Sequence, residues 1–455
     1  MDFGRRLTLA VLAAASLARL AVFAYAARGG ILVGEGRVTA DIAVNLLEGR
    51  GLTLSESMLT PRDAGQGGGG LNDLTFEFYR RLDGFYGVLR PGRPTGFFVP
   101  GYILFEAAIF AVAGHGNLLA VRGVQLLMGL VSVWAGLSIA RRFLSGRWLA
   151  LAGIALALNP FELYYEAIPS TQGLFSPLFL VSVLLSLEVL ERGGLPTAAA
   201  AALSWAAGYL VRPAALPVSA WLAVCMILQS AGRRAAPPRQ AWATLLFVAV
   251  FMLSLVPWGM RQQRVTGEFR ITPTQGGVNL WEYNGRIFSD RFEHEQQGAL
   301  TLYGPLRESL LGRLRRPELA EFPEFRDEPE WYRDSVLTAR TIEFLKANPV
   351  LLARLPLLRF VEFFKPFPLN RFPVAYILAG LASFGLVLVF AGAGAVSMAR
   401  RRTAGAIFLV GGAAVYSLLH LATAAGTPHR VAIDSILIVL ACEGLRIAWS
   451  RRTAR

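Results

Sequence analysis

Leu7–Ala27, LTLAVLAAASLARLAVFAYAA, decides the class of fold. It is an apolar run of about 20 residues, enough to cross roughly 30 Å of hydrocarbon as a helix. Arg5 and Arg6 precede it and no convincing small-residue cleavage site follows, so it reads as a retained anchor with its N-terminus in the cytoplasm. Runs of the same kind recur at Leu118–Ala140, Trp242–Met260, Val374–Val396 and Ala404–Leu421. Further apolar stretches lie near 148–167, 173–190, 196–210, 214–230 and 431–448, with a short one at Gly101–Gly114. The 455 residues are 54% hydrophobic and 17% charged, with a mean hydropathy of +0.46, which excludes an ordinary soluble domain. The expectation is an all-α polytopic membrane protein, a bundle of about 10–11 transmembrane helices with external loop helices.

The net charge of +14 comes almost entirely from Arg. In a membrane chain such charge reports topology rather than a nucleic-acid partner, because basic residues collect in cytoplasmic loops beside anionic lipid. Arg141, Arg142, Arg147, Arg192, Arg233–Arg234, Arg400–Arg402 and the closing SRRTAR therefore read as cytoplasmic. The turns near Gln172, Arg212 and Thr427 fall on the external face, as does the polar region 261–370. Both termini inside require an even number of crossings, yet all the stretches together make eleven; Gly101–Gly114, about 14 residues long, is the weakest of them. Cys225 and Cys442 fall inside spans and read as small core residues, so neither a disulfide framework nor a metal cluster is indicated.

This divides the chain into an N-terminal bundle (1–260) with a first external loop at 28–98, an external region (261–370), and C-terminal membrane helices (371–455). The loop holds a Gly-rich piece at Gly65–Gly70 and a charged aromatic piece, LNDLTFEFYRRLDGFYG. The stretch Val336–Phe367, with Arg354, Arg359 and Lys365 set among Leu and Phe, suits a helix lying along the membrane interface.

Charged side chains in or beside a membrane core are costly and call for a reason. The candidates are Glu35, Asp41, Asp73, Asp83, Glu162, Glu166, Arg212, His429 and Arg430. Glu35 and Asp41 leave the first span in GEGRVTADIAVNLLEGRGL (Gly34–Leu52), at the water–lipid boundary, where a substrate that is itself part lipid would present its head group. If Gly34 and Gly36 hold a turn, Glu35 points into a cleft while Asp41 begins a helix; otherwise Asp41 serves as a helix-terminal acid and Glu35 as a solvated one. Arg212, before Pro213 in GYLVRPAALP, suits a phosphate, or equally an interfacial snorkelling arginine. His429 and Arg430 in AAGTPHRVAID are a cation pair for phosphate or sugar hydroxyl, or ordinary membrane-flanking residues. Gln275, Gly276 and Gly277 read as a tight turn, after which Asn279, Trp281 and Tyr283 could line a sugar site. His420 lies on an apolar span and reads as packed core. There is no P-loop, zinc signature or dinucleotide fingerprint.

Taken in order, five stretches resemble the bacterial GT-C membrane glycosyltransferases of the protein-mannosyltransferase-like and aminoarabinose-transferase-like group. They are GEGRVTADIAVNLLEGRGL, RPTGFFVPGYILFEAAIFAVAG, SWAAGYLVRPAALP, PWGMRQQRVTGEFRITPTQGGVNLWEYNG and TPHRVAIDSILIVLACEGL, and they span nearly the whole chain. The resemblance implies an inverting transferase in a bacterial inner membrane, with its site on the periplasmic face. It would take a sugar from a polyprenyl-phosphate donor and pass it to a glycan, lipid or protein acceptor, among membrane lipid. Counted back from Ala43 and Asn45, the family's loop acid falls on Glu35, which implies a general base there with Asp41 as a second acid. Arg212, His429 and Arg430 would meet the donor phosphate, and Tyr102, Gln172, Asn279 and Trp281 would contact substrate. No cofactor is certain; a divalent metal is compatible, although no metal ligands stand out. The chain departs from the family pattern at Thr39, where a Tyr is usual, at Gln172, where an acid is usual, and at Pro428, where a cation is usual. These departures keep two other readings open, a transporter or flippase of lipid-linked sugars and an inactive GT-C homologue.

Overall fold

The computed structural model describes residues 3–28, 35–55, 92–232, 238–284, 328–366 and 378–453. The loop pieces carrying Asp73 and Asp83, the Gly65–Gly70 run and the stretch 285–327 lie outside the described residues. Among the described residues the chain is helical between turns, with one isolated bridge joining Thr53 and Pro94.

In chain order the helices begin with α1 (Phe3–Ala27), α2 (Glu35–Leu47), α3 (Gly101–Ala113) and α4 (Leu118–Ala140). There follow α5 (Gly146–Ala157), α6 (Pro160–Glu166), α7 (Thr171–Arg192), α8 (Leu195–Val211), α9 (Leu216–Gly232) and α10 (Pro238–Thr266). The outer helices are α11 (Gly276–Asn284), α12 (Glu330–Ala347) and α13 (Pro349–Phe364). Last come α14 (Leu378–Arg400), α15 (Ala404–Ala422) and α16 (Thr427–Thr453). Seven of these, α1, α4, α7, α9, α10, α14 and α15, contain spans long and apolar enough to cross a membrane, and the chain is a multi-pass membrane protein. Leu17, Leu20, Leu228, Leu245, Leu253 and Val389 face outward, as a lipid-solvated bundle requires.

One end of the bundle is basic. There Arg141 donates to Gly4 O at 2.8 Å, Arg142 pairs with Glu188 at 2.7 Å and also with Glu191, and Arg401 pairs with Glu443 at 2.6 Å. Arg147 stacks on Trp449, with its guanidinium 4.7 Å from the ring centre. The first turn of α1 and the last turns of α4, α7, α14 and α16 therefore share this end.

Two of the sequence expectations change. The stretch 148–167 is not one helix, because the chain breaks at Leu158–Asn159. The Asn159 side chain accepts from Phe161 N at 3.1 Å and Pro160 takes the first helical position, so a new helix, α6, starts there. Gly101–Gly114 does not cross. α3 starts with Gly101 packed on the Leu210 carbonyl at the far end of α8, and α4 begins at that same end before running down to Arg141. Its inner residues Ile103, Ala107 and Phe110 join a second core with Val38, Ile42, Phe97, Trp258, Trp281 and Leu337, apart from the main bundle core around Phe179, Trp205 and Tyr416. Among the described residues ten stretches are then left to cross, the seven long spans with α8, α16 and the α5–α6 pair, an even number.

The outer layer is built from α2, α3, α11, α12 and α13. α10 continues through position 260 to Thr266, so the external region expected from 261 begins only after that helix. The expected interfacial helix is two helices, divided at Asn348 because Pro349 disfavours a helical residue before it. α13 turns Leu352, Leu357, Phe360 and Val361 outward, whereas Arg359 and Lys365, read from sequence as interfacial charges, are buried.

Candidate active site

The far end of the bundle gathers polar groups from positions hundreds of residues apart. α8 stops at Val211, because Pro213 pushes Arg212 out of helical geometry into an extended one. Arg212 then reaches the first turn of α16: Nη1 donates to Pro428 O at 3.2 Å and Nη2 meets His429 Nδ1 at 2.9 Å. A guanidinium only donates, so His429 Nδ1 accepts and the imidazole carries its hydrogen on Nε2. Tyr416 Oη donates to His429 O at 2.8 Å, the Tyr165 and Thr427 hydroxyls lie 3.1 Å apart, and His420 stacks on His429 with centroids at 4.7 Å. The turn is thus tied to α6, α8 and α15. Arg212 remains half-buried, with donors beyond the two used here.

Arg430, expected to meet the same phosphate, is fully buried and turns inward. Nε pairs with Asp434 at 2.8 Å, Nη1 donates to Lys365 O at 2.5 Å and Phe363 O at 3.3 Å, and the guanidinium lies between the rings of Phe161 and Phe384. These contacts bind α16 to α6, α13 and α14.

Gly36 is not part of the turn considered from sequence, since it lies in the first turn of α2; Gly34 is outside the described residues. A Cβ at Gly36 would collide with the Pro169 carbonyl, so glycine lets the first turn of α2 sit directly on the 167–170 turn, just before Gln172. Glu35 thereby enters the same end of the molecule as Arg212; its side chain lies outside the described residues. Asp41 lies in the same helix six positions on, about 120° around the axis. Its Oδ2 accepts from Ser55 N at 2.7 Å and from Asn45 Nδ2 at 3.4 Å, while Asn45 also holds Thr53 O. Asp41 fastens the chain leaving α2.

Tyr102 is buried; its hydroxyl donates to Gln125 Oε1 at 2.6 Å, and Gln125 Nε2 donates to Glu166 O and Ile168 O. Tyr102 thus buttresses the turn on which α2 rests. Gln172, also buried, accepts from Thr171 Oγ1 at 3.3 Å in the first turn of α7. Gly276 and Gly277, expected as a tight turn, open α11 instead. The Asp334 carboxylate accepts from Gly277 N at 2.5 Å, satisfying an N-terminal amide of that helix, and a Cβ at Gly277 would strike the Asp334 backbone. Trp281 is buried edge-on against Phe344, Asn279 is half-buried, and Tyr283 is exposed with its ring edge toward His429 at 6.5 Å. Glu330 at the head of α12 accepts from Gly96 N at 2.8 Å and Thr274 Oγ1 at 2.9 Å, tying the end of the first loop to the outer layer. Burial raises its carboxyl above the usual range, while those same hydrogen bonds pull it back.

No family model matches the chain, and no curated protein matches it. Solved structures do. The archaeal oligosaccharyltransferase AglB from Archaeoglobus fulgidus, in complex with an inhibitory peptide and a dolichol-phosphate, superposes with a TM-score of 0.55 at 13% identity over 99% of this chain and 51% of that one. The Archaeoglobus fulgidus oligosaccharyltransferase in its apo form gives 0.56 at 14% identity over 98% and 51%. The fold is GT-C. At these identities the likeness is one of fold, and the chain spans about half the length of the solved structures it matches.

Among the buried charged groups that the sequence candidates did not include are Arg19 and Arg359. Arg19 on α1 pairs with Glu166 at 2.7 Å, with both side chains buried, and Arg359 faces inward from α13. An Arg inside an apolar run was the available signal for each. As for metal, among the described residues no three His, Cys, Asp or Glu side chains stand together as ligands. Asp41 Oδ2 is engaged by Ser55 N and Asn45 Nδ2.

Proposed function

We propose that this chain is an inverting glycosyltransferase that moves a sugar from a polyprenyl-phosphate donor to a cell-envelope acceptor, a glycan, lipid or protein. The observation that carries the reading is the Arg212–His429 pair. It joins residues 217 positions apart at the end of a GT-C bundle where α2 begins with Glu35. A neighbour of the same fold holds a dolichol-phosphate. The positive-inside rule would turn the basic end to the cytoplasm, which supports a site at the Arg212 end on the periplasmic surface of a bacterial inner membrane.

In this reading Arg212 and the Nε2–H of His429 bind the donor phosphate. Fixed donors then take up the negative charge that grows on the leaving phosphate as the glycosidic bond breaks. Glu35 removes the proton from the acceptor hydroxyl as that oxygen attacks the anomeric carbon from the opposite side, which inverts the configuration. The 1–260 bundle supplies the acid and Arg212, the outer layer forms the wall, and the 371–455 helices supply His429. Tyr102 and Gln172 support the acceptor side. Asn279 lines the donor side with Tyr283 while Trp281 anchors α11 from beneath.

The direct test is transfer of radiolabel from polyprenyl-phosphate sugars to envelope extracts by the protein in lipid nanodiscs. Arg212→Ala is expected to weaken binding of polyprenyl monophosphate about 10–100-fold, the loss of one or two charge-assisted hydrogen bonds. Equilibrium binding measures it, and wild-type affinity in that variant would remove the phosphate role. A flippase would move lipid-linked sugar across vesicles without forming product. The acid at the head of α2, beside the Arg212 end rather than at mid-depth, is the motive for preferring an enzyme.

A further inference from the structure

Arg359 lies on the inward stripe of α13 with Leu355 and Phe363 and is 7% exposed. A guanidinium removed from water needs acceptors for the donors it carries. Nη1 donates to Leu421 O at 3.1 Å and Ala422 O at 2.8 Å; Nη2 donates to Tyr283 O at 3.0 Å and Asn284 Oδ1 at 2.5 Å. The first pair of carbonyls closes α15, and Tyr283 and Asn284 close α11. Last-turn carbonyls lack intrahelical donors and concentrate partial negative charge, so one cation between two helix C-termini serves both.

Those two ends carry the site. α15 is joined by residues 423–426 to the first turn of α16, which holds His429, and the last turn of α11 places the Tyr283 ring against the His429 ring. We propose that Arg359 is a positioning residue of the donor site. It holds the ends of α11 and α15 at a fixed separation, so that Tyr283 and His429 form one wall for a polyprenyl-phosphate head group. This deepens the donor reading of Arg212 and His429 and rests on it. The planar fork matters, because each Nη reaches a different helix. A lysine ammonium is a single point that reaches one of them.

The experiment uses full-length protein in lipid nanodiscs carrying Arg359→Gln or Arg359→Lys, with Arg340→Gln on the exposed side of α12 as control. Polyprenyl monophosphate is the binding probe, polyprenyl-phosphate sugar the substrate, and hydrogen exchange the structural readout. In Arg359→Gln, Kd for the monophosphate and KM for the donor rise about tenfold or more, as misplacement of a binding group predicts, while kcat stays within about threefold. Arg359→Lys recovers part of the loss and Arg340→Gln behaves as wild type. Exchange quickens in 276–284 and 420–429 and not elsewhere in the bundle. An unchanged Kd beside a wild type that binds, a loss confined to kcat, or faster exchange spread over every helix overturns the clamp. A wild type that binds no polyprenyl monophosphate overturns the donor reading itself, and the exchange pattern then separates that failure from the absence of a clamp.

Discussion

Glu35→Gln is expected to lower kcat for sugar transfer by about 10²–10⁴-fold, the usual contribution of a positioned general base. Glutamine keeps the shape and polarity of the side chain and removes only its ability to take a proton. Binding of polyprenyl monophosphate should persist within about twofold, since the phosphate contacts come from Arg212 and His429 at the other side of the site. Single-turnover transfer of radiolabel measures the first quantity and equilibrium binding the second. Asp41→Asn is the informative comparison. Asp41 accepts from Ser55 N and Asn45, so its amide should loosen the chain leaving α2 and reduce rate far less than Glu35→Gln. Equal losses in the two variants would move the base from Glu35. Full transport with no product in either would favour a flippase.

Arg430→Met is expected to destabilise the folded bundle by about 3–5 kcal/mol, the cost of leaving one partner of a buried ion pair alone. Asp434 would remain fully buried without its cation, and the Phe363 and Lys365 carbonyls would lose their donor. Adding Asp434→Leu removes the stranded charge, and the double variant should recover most of the loss. Chemical unfolding in mixed micelles, followed by tryptophan fluorescence, reads both. The recovered double variant should also bind polyprenyl monophosphate as wild type does, because Arg430 faces Asp434, Phe161 and Phe384 rather than the turn. If stability returns and binding does not, Arg430 meets the donor after all.

The bundle was legible because membrane helices announce themselves by length, and because arginine at one end fixes direction. The break at Asn159 was also open to reading, since an Asn-Pro pair caps and restarts a helix. Which way a buried cation points was not. From Val431 to Gly444 every residue of α16 is buried, so the helix has no apolar stripe from which the facing of Arg430 could be inferred. The Arg212–His429 contact lies beyond any local pattern as well. It depends on where α8 and α15 end in three dimensions. Glu35 is a middle case: its place at the first loop could be read from the residues around it, but a helix beginning there requires the Pro169 carbonyl to sit where only a glycine at position 36 admits it.

The ion pair between Arg19 and Glu166 bears on how the polypeptide enters the bilayer. An arginine well inside the first hydrophobic segment carries an insertion penalty of about 2.5–3.5 kcal/mol when that segment must partition alone. The carboxylate that relieves it is synthesised 147 residues later, after another hairpin has been threaded. α1 therefore gains its full stability only after more than a third of the chain has been made, and until then it must linger beside the insertion machinery or tolerate a water-bearing defect around its guanidinium.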